Sequence, residues 1–502
     1  MSETRKLYLA VAACAIVVHL GALGNQFALD DRLIVLFNPL VQSLSGVWSA
    51  FAAPYWPANL GGLVYRPLPI ASYAVDYQLH SALWFHLVNL LWHAGVTVVV
   101  TALARRWTSP TAALAAGLLF AVHPVHVEVV ASVVGRADLM ATLGTCLAVY
   151  AAVAYDSIGW SAAFLAFGIL SKESAAATPA LIALAWLIGL ARPPRRRMVM
   201  YGASWLAIAV LYFVLRWTVL HPYEGFPNIA PQFIDQSPLA IRYTAVAELV
   251  DVVRLLVFPL HLQADYSPME RVTVTSPVAG AFLLGLLCLA VWATLLTLAW
   301  RRGRHVEAFG LGWIGVAYLP VANLVIPHGV VMAERLLYLP SVGLVLAAGA
   351  TLDRLPRRAW AVALSALVIA AGMRSAFRVP VWRNNQAAAL AMIADAPLSY
   401  RSWDYLGWEY LWAHRDERAL EAFRRSASIY RDDARMPLAG AHMAYALGRT
   451  ALADSLLQRA DSVCPRCPTA YHNQASAARL RGDTAAARFL LDHLQRRLGQ
   501  KQ

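Results

Sequence analysis

Runs of apolar residues long enough to cross a bilayer recur along most of this chain, and no other feature limits its fold so strongly. About twenty apolar residues in a helix span a hydrocarbon core, where every backbone amide must be bonded inside its own segment. Candidate spans lie near 7–24, 83–104, 110–123, 138–155, 159–170, 174–191, 199–219, 277–300, 306–326, 337–353 and 359–373, with 110–123 and 159–170 the shortest. The first of them begins within MSETRKLYLAVAACAIVV, which looks like a signal peptide; no small-residue cleavage site follows, so an uncleaved helix is expected. A composition of 59% hydrophobic and 14% charged residues, with a mean hydropathy of +0.52, excludes both an ordinary soluble enzyme and a disordered chain.

The net charge of +13 would suggest nucleic acid if it formed a patch, but its placement follows membrane topology. With the N-terminus in the cytoplasm, the inner connections hold Arg5 and Lys6, Arg105 and Arg106, Arg192 and Arg195–Arg197, Arg301, Arg302 and Arg304, and Arg354, Arg357 and Arg358. The longer segments 25–82, 220–276 and everything after about 374 then lie outside. No nucleic-acid partner is expected. Lys occurs only three times against abundant Arg and Ala, a usage that fits a GC-rich bacterial genome and places the protein in a bacterial inner membrane. Five Cys exclude a disulfide scaffold.

From about 385 the pattern changes to amphipathic helices. Trp403, Leu406, Gly407 and Tyr410 fit W-x2-L-G-x2-Y, and Ala419, Ala453 and Ala487 recur every 34 residues, as do Phe423, Leu457 and Leu491. Gly448 and Gly482 mark turns and Pro465 closes the second unit. The expected fold class is therefore all-α: a polytopic membrane domain of about 11 transmembrane helices over 1–384, followed by extracytoplasmic tetratricopeptide repeats over 385–502 (about 400–433, 434–467 and 468–498). Such repeats dock extended peptides or serve as scaffolds. The Cys464 and Cys467 pair reads as a local disulfide or an incidental pair rather than a metal site, because no second pair accompanies it.

Ionisable residues gather at the outer ends of the spans, where they are costly and so functional by default. Asp30 and Asp31 follow the first helix; either could be a general base, and Asp30 could alternatively cap a short helix. Arg66 stands in Tyr-Arg-Pro-Leu. The next outer segment carries His123, His126 and Glu128, then Arg136 and Asp138, in a spacing that is not a hydrolytic zinc signature. Lys172-Glu173 and Glu334-Arg335 are self-neutralised pairs, and Asp265 starts Asp-Tyr-Ser-Pro, which could be only a turn. Guanidinium groups bind phosphate in bidentate fashion, so Arg335 suits an anion. Carboxylates, cations and His beneath apolar spans fit an amphiphilic substrate with a charged head.

In order along 20–345, these motifs, with FHLVNLLWH at 85–93, SKES at 171–174 and AERLLYLPSVG at 333–343, resemble the transmembrane-and-tetratricopeptide-containing O-mannosyltransferases of the glycosyltransferase C superfamily. The resemblance implies transfer of a sugar, mannose or another hexose, from a polyprenyl-phosphate donor to Ser/Thr hydroxyls of an exported protein. Asp31 would match the acidic residue that activates the acceptor, with Asp30 beside it. His123, His126, Glu128, Arg136 and Asp138 match the second loop motif, Lys172 and Glu173 the Lys-Glu pair, and Glu334 and Arg335 the segment near the donor phosphate. No metal or other cofactor is required if cations hold the phosphate. Inversion is expected, since retention would need a second carboxylate about 5 Å away. The tail has fewer repeats than eukaryotic members, so their acceptor is not carried over. The competing readings are a transferase acting on lipid or envelope polysaccharide, and a non-catalytic scaffold with an exported binding array.

Overall fold

The computed structural model describes residues 2–57, 64–223, 229–257, 259–464 and 467–499, which form helices and loops with no strand among them. Two compact units result: one of Met1–Leu262 with Thr273–Asn384, the other of Gln263–Val272 with Asn385–Gln502.

Among the described residues of the first unit, seven helical segments are long and apolar enough to cross a membrane: Glu3–Gly24, Ala82–Trp107, Val133–Tyr155, Arg195–Leu220, Gly280–Arg301, Glu334–Asp353 and Arg357–Trp382. Pro110–Val122 and Pro124–Ala131 form an eighth if the pair, bent by 48°, is one span. Proline causes that bend, because Pro124 lacks the amide needed to continue the helix. The other three apolar segments, 159–170, 174–191 and 306–326, fold as the shorter helices Ile158–Ser171, Thr178–Ile188 and His305–Tyr318. A 14-residue helix is about 21 Å long, less than a hydrocarbon core. The seven or eight candidate spans are therefore fewer than the eleven expected.

Val133–Tyr155 is 78% buried along its apolar window and Gly280–Arg301 only 6%, so the former is the central pillar and the latter peripheral. Small residues let the inner helices touch. A Cβ on Gly310 would meet the Gly343 carbonyl oxygen at 2.4 Å, and one on Gly343 would meet that of Gly310 at 2.3 Å, so His305–Tyr318 and Tyr338–Asp353 are in backbone contact. With no hydrophobic effect between helices in lipid, such close packing supplies much of the association energy.

The second unit contains three helical hairpins: Tyr400–Trp412 with Asp416–Ile429, Arg435–Ala446 with Thr450–Val463, and Pro468–Arg481 with Thr484–Gly499. His414, Gly448 and Gly482, each 34 residues from the next, all take positive φ (53°, 75° and 94°) where the chain turns. Ala419, Ala453 and Ala487 are buried between the helices. Cys464 and Cys467 are joined in a disulfide; Pro465, between them, lies outside the described residues.

Candidate functional site

Most of the ionisable residues singled out above sit where helices break or begin: Lys172 ends Ile158–Ser171, Glu334 and Arg335 open the segment to Asp353, and Arg136 opens the helix to Tyr155. They divide into two sets.

One set is an ionic cluster. Lys172 Nζ lies 2.7 and 2.6 Å from the two carboxylate oxygens of Asp138. Arg66 Nε donates to Glu173 Oε2 at 2.9 Å, and Arg216 approaches the other oxygen of Glu173 at 3.6 Å. Arg335 donates its main-chain N–H to Glu128 Oε2 at 2.9 Å and its guanidinium to Oε1. These pairs feel one another: Asp138 acts on Arg66 as well as Lys172, and Arg335 feels Asp30 and Asp138 in addition to Glu128. Tyr55 joins them, its ring 5.2 Å beneath the Arg66 guanidinium and within the field of Asp30. Glu173 and Arg335 keep 38% and 35% of their side chains exposed, so the cluster is not sealed.

The other set is closed. Arg136, fully buried, donates to Asp76, to Asn89 Oδ1 at 2.9 Å, to Ser72 Oγ at 3.2 Å and to the Phe85 carbonyl at 3.0 Å. Asp31 is also fully buried. Its Oδ1 accepts from the Val134 amide at 2.8 Å and from Ser132 Oγ at 3.1 Å, and its Oδ2 accepts from the Ala28 amide at 3.2 Å. Burial pushes its carboxyl up to about 6, against the pull of those hydrogen bonds. His123 Nε2 is bonded to the Leu256 carbonyl at 2.9 Å, and His126 Nε2 to Ser341 Oγ at 2.8 Å. Glu334 is buried at 2% exposure.

Arg136 and His123 thus spend their polar atoms on the chain's own residues, whereas His126 is bonded through Nε2 alone and its buried Nδ1 has no partner among the described residues. Asp31 braces the segment 132–134 against the first loop, while the adjacent Asp30 is half-buried and within the field of Arg335. Asp265 belongs to the second unit. Its carboxylate accepts from Ser399 Oγ at 2.7 Å, and Glu270 accepts from the Leu398 amide at 2.6 Å, so this stretch caps the start of Tyr400–Trp412. Among the described residues no three His, Cys, Asp or Glu side chains converge as a metal-binding group.

Sequence reasoning missed Tyr55, Arg216 and His328. Arg216 had a signal, being a lone cation in the apolar run LYFVLRWTVL. His328, within the field of Arg335 and Lys172 and depressed by burial, lies in a loop that carries no recognisable motif.

No family model matches the sequence. A protein O-mannosyl-transferase of Caenorhabditis elegans is 28% identical over 352 residues, covering 67% of this chain and 50% of its own. Human protein O-mannosyl-transferase TMTC4 is 27% identical over 404 residues, covering 67% of this chain and 54% of its own. The chain spans about half the length of the curated relatives it matches. Among solved structures, ArnT from Cupriavidus metallidurans bound to undecaprenyl phosphate superposes with a TM-score of 0.45 at 16% identity, over 92% of this chain and 78% of that one. The relatives of this chain are protein O-mannosyl-transferases.

Proposed function

We propose that the first unit is a membrane glycosyltransferase that moves a hexose, mannose by analogy with its relatives, from a polyprenyl-phosphate donor to Ser/Thr hydroxyls of an exported protein. The observation that carries this reading is the gathering of Arg66, Lys172 and Arg335, each already held by a carboxylate, with Arg335 within the field of Asp30. Apolar spans suit a prenyl tail, and the cations suit its phosphate. We further propose that the N-terminus is cytoplasmic, that the cluster faces the outside of a bacterial inner membrane, and that the three hairpins are tetratricopeptide repeats that dock the acceptor.

The charges balance through the reaction. Asp30 takes the hydroxyl proton as the acceptor oxygen attacks the anomeric carbon. The bond from that carbon to the phosphate oxygen breaks, and its electron pair leaves with the phosphate. A diester of charge −1 becomes a monoester of charge about −2 while Asp30 is neutralised, so net charge moves toward the cations as the barrier is crossed, and they stabilise that change. Attack opposite the departing phosphate inverts the centre. Asp31 serves as a brace for the loop bearing Asp30, not as the base.

The test is transfer by the purified full chain from synthetic polyprenyl-phosphate mannose to a Ser/Thr peptide and to extracted envelope lipids. Labelled peptide that depends on Asp30 and Arg335 supports the proposal. Label on lipid alone moves the acceptor, and donor left intact with every acceptor points to a scaffold.

A further inference from the structure

Buried imidazoles tie the segment His123–Glu128 to the start of Tyr338–Asp353, and their hydrogen-bond roles can be assigned. Ser341 Oγ lies 2.7 Å from the Tyr338 carbonyl, which can only accept, so the hydroxyl proton is committed there. His126 Nε2, 2.8 Å from the same Oγ, must then be the donor. His93 Nε2 faces the Ala121 carbonyl at 3.2 Å and carries a proton for the same reason; its Nδ1 therefore accepts from the Tyr338 hydroxyl at 2.8 Å. All four side chains are fully buried. The rings of His93 and His126 stand edge-on at 5.6 Å, and those of His126 and Tyr338 at 4.6 Å.

These bonds flank the donor-side cation. Glu128 follows His126 by two residues and grips both the main-chain N–H and the guanidinium of Arg335; Tyr338 and Ser341 follow Arg335 by three and six. Two ties (His126 to Ser341, Glu128 to Arg335) join the two segments directly, and His93, on Ala82–Trp107, bonds both Tyr338 and the Ala121 carbonyl, so the register is fixed with the guanidinium at the end of the seam. A slip of one residue would move it several ångströms.

We infer that His126 is a positioning residue that acts through Ser341 to aim Arg335 at the donor phosphate, and that the second histidine of His-Pro-Val-His serves donor binding without touching donor. The inference rests on the proposed role of Arg335. Gln places its amide N–H near the reach of imidazole Nε2, whereas Ala leaves Ser341 without its donor.

The experiment is steady-state transfer by the full chain in nanodiscs, with synthetic polyprenyl-phosphate mannose varied at saturating peptide. His126→Ala is expected to raise donor KM about tenfold with kcat changed less than about threefold, as suits a misplacement of an ångström or less. His126→Gln should return KM to within about twofold of wild type, Ser341→Ala should match His126→Ala, and the double variant should be no worse than either single change. Unchanged donor KM in His126→Ala, or failure of Gln to restore it while the thermal midpoint is restored, would overturn the inference and leave His126 a packing residue. Arg335→Ala separates the two levels: a rise in donor KM there with none in His126→Ala sinks this inference alone. No rise in Arg335→Ala sinks the phosphate role and the inference with it.

Discussion

Arg136 and Arg335 are both cations at the start of a long apolar helix, and they are built in opposite ways. Arg136 is sealed, with four acceptors from Asp76, Asn89, Ser72 and Phe85 closing around its guanidinium. Arg335 has one carboxylate partner, Glu128, and a third of its side chain open. Asp31 and Asp30 differ in exposure in the same sense one residue apart, the first fully buried and the second half-buried. An ionisable group in a membrane protein is a functional candidate by default. A group whose bonding capacity is spent inside the chain, however, has none left for a substrate. Exposure, more than residue type, separates the two sets here.

The contrast can be broken from the sealed side first. Arg136→Leu leaves Asp76, 9% exposed, as an uncompensated buried charge, which should cost about 3–5 kcal/mol and appear as loss of folded protein on thermal melting in detergent. An unchanged melting point with lost transfer would move Arg136 into the reacting site. Asp31→Ala strands the Val134 amide, the Ser132 hydroxyl and the Ala28 amide, and about 2–4 kcal/mol of stability should go with them.

From the open side, Arg335→Ala should raise donor KM about 10- to 100-fold, the loss of one charge-assisted contact worth about 1.5–3 kcal/mol, and should also lower the melting point, because Glu128, 5% exposed, loses its ion-pair partner. Initial rates against donor concentration decide it. The smallest effect is a pH signature. The Asp31 carboxyl is raised by burial to about 6, so its proton is bound more tightly in the folded than in the unfolded chain. This contribution is complete below the unfolded value near 3.9 and is lost as pH rises through 6. Between pH 7 and 5 the wild type should therefore gain about 1 kcal/mol relative to Asp31→Asn, which lacks the titration. Parallel stability curves for the two would show that Asp31 is not buried as described.

The helices were readable from sequence because apolar runs report themselves, and so were the 34-residue turns. Their third member was not: His414 takes the left-handed conformation without being glycine, and a pattern search for Gly finds only Gly448 and Gly482. Span length was the weak point. Ile158–Ser171 and Thr178–Ile188 are separated by Lys172 and Glu173, and composition alone could not say whether that charged pair ends one span or interrupts it. The cluster residues Arg66, Lys172, Glu173, Glu128 and Arg335 were each visible as polar groups in apolar surroundings, but their pairing was not. Arg335 meets Glu128 across 207 residues, and Asp265 meets Ser399 across 134, by contacts that only the fold creates. For the same reason the two adjacent Asp residues looked equivalent until Ser132 and Val134 were seen to occupy Asp31.

That distinction carries the mechanism, and one paired measurement tests it most directly: single-turnover transfer and thermal stability of Asp30→Asn and Asp31→Asn, side by side with wild type. With Asp30 as the base, Asp30→Asn should slow the chemical step about 10²- to 10⁴-fold at an unchanged melting point, while Asp31→Asn should melt earlier and keep a larger share of its rate. A wild-type rate in Asp30→Asn, with the chemical step abolished in a stable Asp31→Asn, would contradict the account and return the proton to Asp31.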